Sequence, residues 1–191
     1  MKKKAPREWN KLNYVDPDIY VAEQQKLRSQ VALTNAPDKI RNLRTRKLAP
    51  LREAWDAGIF CYLLRRMTGQ EIYFAAVEDQ DYDAVFTWNA EGVQNFAPVQ
   101  MKEVVPEELN SKQQVKDVVS SLRKYVTSDD LVVGIKVNRN VRIEAKDLEI
   151  ENLPVAEVWL FGATEPDEKR WSIFRKLGDI IEISHYVLPK A

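Results

Sequence analysis

Three side chains within residues 82–104, YDAVFTWNAEGVQNFAPVQMKEV, have types suited to phosphate chemistry: Asp83, Gln100 and Lys102. A carboxylate and an amide carbonyl are hard oxygen donors of the kind Mg²⁺ takes, since that ion keeps several waters and uses only one or two protein carboxylates. An ammonium beside such an ion orients a nucleophile or offsets charge developing on a phosphate. Period-two alternation places Asp83, Val85 and Thr87 on one face of a first strand, opposite Tyr82, Ala84, Phe86 and Trp88. On a second strand Gln100 and Lys102 oppose Val99 and Met101. Asn89-Ala90-Glu91-Gly92 between them is turn chemistry, with Gly92 free to take positive φ, so an antiparallel hairpin is the economical reading. In suitable register the three side chains then converge on one patch of sheet. Asp79, Asp81 and Glu103 are the alternatives to a named ligand; alternation sends Glu103 to the face opposite Lys102 unless a bulge intervenes.

The acid followed by Gln100-Met101-Lys102 resembles the restriction-endonuclease-like PD-(D/E)xK superfamily, in the QxK (Mrr-like) variant where Gln replaces the second acid. The resemblance covers roughly residues 50–138. It implies a core running helix, three-stranded meander, helix, strand, and a metal-dependent nuclease that hydrolyses phosphodiester bonds, with DNA the expected substrate. It makes Asp83, Gln100 and Glu53 the ligands of Mg²⁺ or Mn²⁺, and Lys102 the residue that positions water or stabilises charge. Glu53 enters because the first core helix of that superfamily often supplies a glutamate. The alternative is a surface acid near a helix N-terminus, favoured by the macrodipole.

The elements that must hold this site are legible in the chain. Asp16-Pro17-Asp18 is a helix start, and Ile19, Ala22, Leu27 and Val31 support a helix to about Thr34. The preceding 16 residues are polar and basic, expected to be partly disordered, with Trp9 and Tyr14 as anchors. Asp38 to Lys47 reads as a short basic helix with Ile40 and Leu43 inward. Leu51 to Met67 has apolar residues at helical spacing and stops at Gly69. Glu71–Val77 is strand-like, and Ser111–Val126 is a second core helix with Lys112, Gln113 and Gln114 in its first turn. Leu131–Val137 and Val155–Phe161 read as central buried strands, while Ile143–Ile150 and Ile180–Val187 extend the sheet. Trp159, Trp171 and Phe174 are core or interface residues. The fold class is therefore α/β: a restriction-endonuclease-like mixed central sheet flanked by helices, divided into a basic helical N-terminal extension (1–49) and a nuclease-like core with C-terminal strands (50–191).

Charge and composition narrow the function. The 191 residues carry a net charge of zero, yet residues 1–70 hold 15 Lys and Arg against 7 Asp and Glu, while residues 71–191 hold 14 against 22. Lys39, Arg41, Arg44, Arg46 and Lys47, with Lys112, are the candidate phosphate contacts, and such contacts would be salt-sensitive rather than base-reading. A soluble charged face is the alternative. Cys61 is the single cysteine, so an internal disulfide and a zinc-thiolate cluster are excluded and a reducing, cytoplasmic setting is expected. His185, the single histidine, has no acid/base companion in the sequence. Met1-Lys2-Lys3-Lys4 leads into no apolar run, and no stretch approaches a membrane span. No GxxxxGK[ST] or GxGxxG stands in the chain, which argues against nucleotide hydrolysis and dinucleotide cofactors. Expected partners are nucleic acid and a second copy of the chain, since a small nuclease that cuts both strands often works as a homodimer. The rival reading keeps the fold but not the chemistry: a non-catalytic nucleic-acid-binding or protein-interaction module with a degraded nuclease site.

Overall fold

The computed structural model describes residues 5–77, 81–125, 128–144, 148–178 and 180–190. The chain forms two compact units, Met1–Pro98 with Leu188–Ala191, and Val99–Val187. The expected boundary at residue 49/50 falls inside the first unit, at the start of its long helix.

In the first unit, helix α1 (Pro17–Ala32) begins as its sequence requires. The Asp16 carboxylate accepts from the N–H groups of Asp18 and Ile19 at 2.8 and 3.4 Å, and Pro17 occupies the first turn, where no N–H is needed. The apolar spacing expected to turn inward does not: Ile19 and Leu27 are exposed, and the buried positions are Pro17 and Val21. The basic stretch forms a single helical turn, α2 (Asp38–Arg41). Ile40 is exposed rather than inward, and Leu43 leaves the helical path at φ 53°.

Helix α3 (Ala49–Thr68) is the centre of this unit, and every residue from Trp55 to Leu64 is buried. The sequence predicted a one-sided helix; a helix buried all round has neighbours on every face. It packs on α1 and on strand β1 (Ile72–Ala76). At Gly58 the Tyr20 ring lies where a Cβ would stand, 2.6 Å from its Cδ1, so only glycine admits this approach. In the helix's last turn, Arg65 bonds Asp16 Oδ2 at 2.8 Å and pairs with Asp18 and Glu71, while Arg66 pairs with Asp18. These bonds tie α1 to α3.

Strand β1 runs antiparallel to β2 (Ala84–Ala90), from Ile72↔Trp88 to Ala76↔Ala84. Glu91 and Gly92 alone connect β2 to β3 (Val93–Val104), at φ 52° and 76°. A two-residue loop with positive φ at both positions matches the twist of an antiparallel hairpin. The outer side of β1 is bridged by Val15, which exchanges main-chain bonds with Phe74. Residues 5–16, expected to be loosely held, are anchored by that bridge and by buried Trp9, whose Nε1 donates to Tyr82 Oη at 3.0 Å.

In the second unit β3 (its residues 99–104) lies parallel to β4 (Ser128–Val137), and β4 lies parallel to β5 (Val155–Ala163). Strands β6 (Arg170–Leu177) and β7 (Ile180–Val187) continue antiparallel. Strands neighbour one another in chain order, β1 to β7. The architecture is mixed α/β, with the succession α3, β1, β2, β3, α4, β4. Phe161 and Trp171 stack at 6.1 Å in the core of this unit, and Trp159 is buried beside them in sequence.

Three expectations fail here. Helix α4 is shorter than predicted, Val115–Ser121 followed by a 3-10 turn at Leu122–Lys124. Gln114 is extended and forms a reciprocal capping box with Asp117, which fixes the helix start four residues later than Ser111. Lys112 and Gln113 therefore precede the helix. The described part of 143–150 forms no strand, its residues 145–147 lying outside the described set. Strand β6 was not anticipated as a strand; it takes the neighbouring place that 143–150 was expected to help fill. No helix among the described residues is long and apolar enough to cross a membrane.

Candidate functional site

Strand β3 places Gln100 and Lys102 two residues apart, hence on one face, beside Val133 and Ile135 of β4. The third member of the group is Tyr125, at the end of the 3-10 turn that follows α4. Its hydroxyl donates to Gln100 Oε1 at 3.2 Å, and Lys102 Nζ lies 5.9 Å from the centre of its ring. Lys124 Nζ lies over the same ring at 5.4 Å. One aromatic side chain thus orients an amide oxygen with its polar tip while its face attracts two ammonium groups. Gln100 is buried, at 8% exposure, and its Nε2 donates to Met101 O at 3.4 Å; Lys102 is half-buried.

The opposite face of β3 carries a separate polar group. Glu103 Oε1 accepts from Asn138 Nδ2 at 2.8 Å, and Glu103 stands in register with Lys136. No bulge brings Glu103 to the Lys102 side; the β3–β4 register is continuous from Val99 to Val104. Lys136 is buried, with Nζ 5.6 Å from the Trp171 ring. Arg139 is spent on the main chain, donating to Val105 O at 2.7 Å, Gln113 O at 2.9 Å and Asn110 O at 2.6 Å. It fastens the β3–α4 loop. Gln113 adds to this, with Oε1 accepting from Val105 N–H at 2.8 Å.

The remaining expected metal ligands belong to the first unit. Asp83 stands one residue ahead of β2, half-buried, and its carbonyl accepts from Val77 N–H at 3.0 Å. On the strand that follows it, Ala84, Val85, Phe86 and Thr87 are buried on both faces. Asp81 is exposed, and Asp79 lies outside the described residues. Glu53 is half-buried in the second turn of α3. Three residues further along the same helix, Asp56 is buried at 5% exposure, and the sequence reading passed over it. Burial, with the Asp56 charge added, pushes the Tyr20 hydroxyl up to about 12.

Of the basic residues, Lys39, Arg41, Arg46 and Lys47 are exposed and Arg44 is half-buried. Arg41 pairs with Asp38. Lys112, in the second unit, is exposed in an Asx-type turn, its N–H donating to Asn110 Oδ1 at 3.2 Å. Cys61 is buried and burial pushes its thiol well up, away from reactivity. His185 Nδ1 meets Ser172 Oγ at 2.6 Å on the β6–β7 ribbon. Among the described residues no three His, Cys, Asp or Glu side chains gather as a metal site.

Within the second unit the structure brings Gln100 and Lys102 together, and adds Tyr125 to them. Tyr125 falls within the helix expected over Ser111–Val126; its placement beside Gln100 follows from where α4 and its 3-10 turn end. Comparison with family models, curated proteins and solved structures finds no match to this chain.

Proposed function

We propose that this chain is a metal-dependent nuclease that hydrolyses phosphodiester bonds, with DNA as the expected substrate. The observation that carries the reading is the Gln100–Lys102–Tyr125 group on one face of β3. The succession of a helix, three strands, a helix and a strand parallel to β3 adds support, being the order that the PD-(D/E)xK resemblance implies. The donor types suit Mg²⁺ or Mn²⁺: the amide oxygen of Gln100 and the carboxylates that the resemblance assigns, Asp83 and Glu53, are hard oxygen donors. A bound ion would supply Lewis acidity toward a phosphate oxygen. The chain's own part is for Tyr125 to hold the Gln100 oxygen in place and for Lys102 to present its ammonium to phosphate. The exposed cations Lys39, Arg41, Arg46 and Lys47 are then suited to salt-sensitive contact with the nucleic-acid backbone.

The burial of Gln100 favours the second reading, a nucleic-acid-binding or protein-interaction module without catalysis. One experiment separates the two. Purified protein is assayed with Mg²⁺ and with Mn²⁺ on supercoiled, linear and single-stranded DNA and on RNA, beside Lys102→Ala and Asp83→Ala. Cleavage by the wild type, lost in both variants, is the expected result. Salt-sensitive binding without cleavage transfers the conclusion to the binding module, and cleavage retained in both variants removes these residues from the mechanism.

A further inference from the structure

Strand β7 ends the strand order, with no described strand on its outer side. A terminal strand presents a row of main-chain donors and acceptors that templates pairing with another chain, and native proteins guard it with charged side chains (Lys above all), Pro, bulges, shortness or a covering segment. Of these, the described residues of β7 carry one acid, Glu182, and no Lys, Pro or bulge. It is eight residues long, IIEISHYV, without Lys or Pro. Its register with β6 runs without a shift from Leu177↔Ile180 to Arg170↔Val187. Most of its exposed side chains are apolar: Ile180, Ile181, Ile183 and Val187 are 66%, 46%, 55% and 56% exposed, with His185 exposed among them. Glu182 is its one acid, and Arg175 Nε holds that carboxylate at 2.8 Å.

We propose that β7 is the surface through which two copies of this chain associate, the strands pairing antiparallel about a twofold axis at Ile183. Strand geometry supplies the register. A twofold axis perpendicular to the paired strands keeps each side chain on its own face, so residues opposite one another must share parity and the axis must pass through a residue. With the axis at Ile183, positions 180–186 pair completely. The two Ile183 side chains meet, Ile181 faces His185 of the partner subunit, Ile180 faces Tyr186 of the partner subunit, and Glu182 faces Ser184 of the partner subunit.

The strand suits its own copy for two reasons. β-branched and aromatic pairs across strands are the favourable ones, and Ile183 with itself and Ile180 with Tyr186 are of that kind. Its one acid falls opposite a hydroxyl; the two Glu182 carboxylates are diagonal neighbours, each held by its own Arg175. The contact is short beside a standard interface, which makes the dimer concentration-dependent rather than permanent. The proposal stands apart from the nuclease reading and survives its failure.

The test is sedimentation equilibrium of the full chain from about 1 to 100 µM, for the wild type, Ile183→Lys and Ile183→Thr. The wild type is expected to show a monomer–dimer equilibrium in this range. Ile183→Lys is expected to raise the dissociation constant tenfold or more and Ile183→Thr several-fold, with unchanged circular dichroism and melting of the monomer. Threonine keeps the β-branch, so this variant decides the matter if the lysine variant fails to fold. A wild type that stays monomeric throughout overturns the proposal, as does a dimer whose dissociation constant changes less than twofold in the folded variants.

Discussion

Removing the Tyr125 hydroxyl tests whether the candidate site is held by the bond drawn above. Tyr125→Phe keeps the ring beneath Lys102 and Lys124 and deletes the donor to Gln100 Oε1. A neutral hydrogen bond contributes about 0.5–1.5 kcal/mol net. This one, at 3.2 Å, is longer than the roughly 2.7–2.8 Å common for hydroxyl donors, which places it in the lower half of that range. The expected loss for Tyr125→Phe is therefore about 1 kcal/mol, including the cost of returning a buried amide oxygen to a poorer environment. The apportioning measurement is a double-mutant cycle with Gln100→Ala, read by urea unfolding followed through signals from the second unit. Coupling of about 0.5–1 kcal/mol is expected. Additivity within about 0.3 kcal/mol would show that the two side chains do not act on each other, and the site as described would lose its organising contact. The same Tyr125→Phe protein reports on function: if Tyr125 orients Gln100 for metal binding, the Mg²⁺ concentration needed for half-maximal cleavage rises while the cation–ring contacts persist.

Two further outcomes follow from the first unit. In an ordinary helix Gly→Ala stabilises by about 1 kcal/mol, but at Gly58 the new methyl meets the Tyr20 ring at 2.6 Å and Phe74 Cζ at 3.1 Å; overpacking of about 1–3 kcal/mol should win, so Gly58→Ala lowers the melting temperature, and a raised one would contradict the packing. Burial tends to raise the Asp16 carboxyl, but the Arg65 guanidinium and the N–H groups of Ile19 and Asp18 outweigh it and hold the group below its ordinary 3.8. A depressed carboxyl contributes stability that is present above its unfolded value and is lost as pH falls through the folded one. Arg65→Met should accordingly cost about 1–2 kcal/mol at pH 7, discounted for the solvent that reaches Asp16 and Asp18, and the penalty should shrink below about pH 4. Denaturant titrations at pH 7 and pH 3 check this, and equal penalties at both would remove the Asp16–Arg65 bond as its source.

The sequence by itself determined the features whose cause is local. Asp16-Pro17 starts α1 because a carboxylate and a residue without an N–H suit the first turn wherever the helix lies. Gly92 closes the β2–β3 hairpin because few residues take positive φ cheaply, and the apolar runs at 131–137 and 155–161 form β4 and β5 because no other structure buries both faces so compactly. Alternation likewise put Gln100 and Lys102 on one face of β3. Tertiary structure decided what depends on neighbours. It buried α3 on all sides and left Ile19 and Leu27 of α1 in solvent. It brought Tyr125 to Gln100, although the Gln114–Asp117 capping box that starts α4 at Val115 is itself a local signal. It set β6 beside β5 and left β7 with its isoleucines exposed. Apolar period states that a residue can be buried; only the packed chain supplies the surface that buries it.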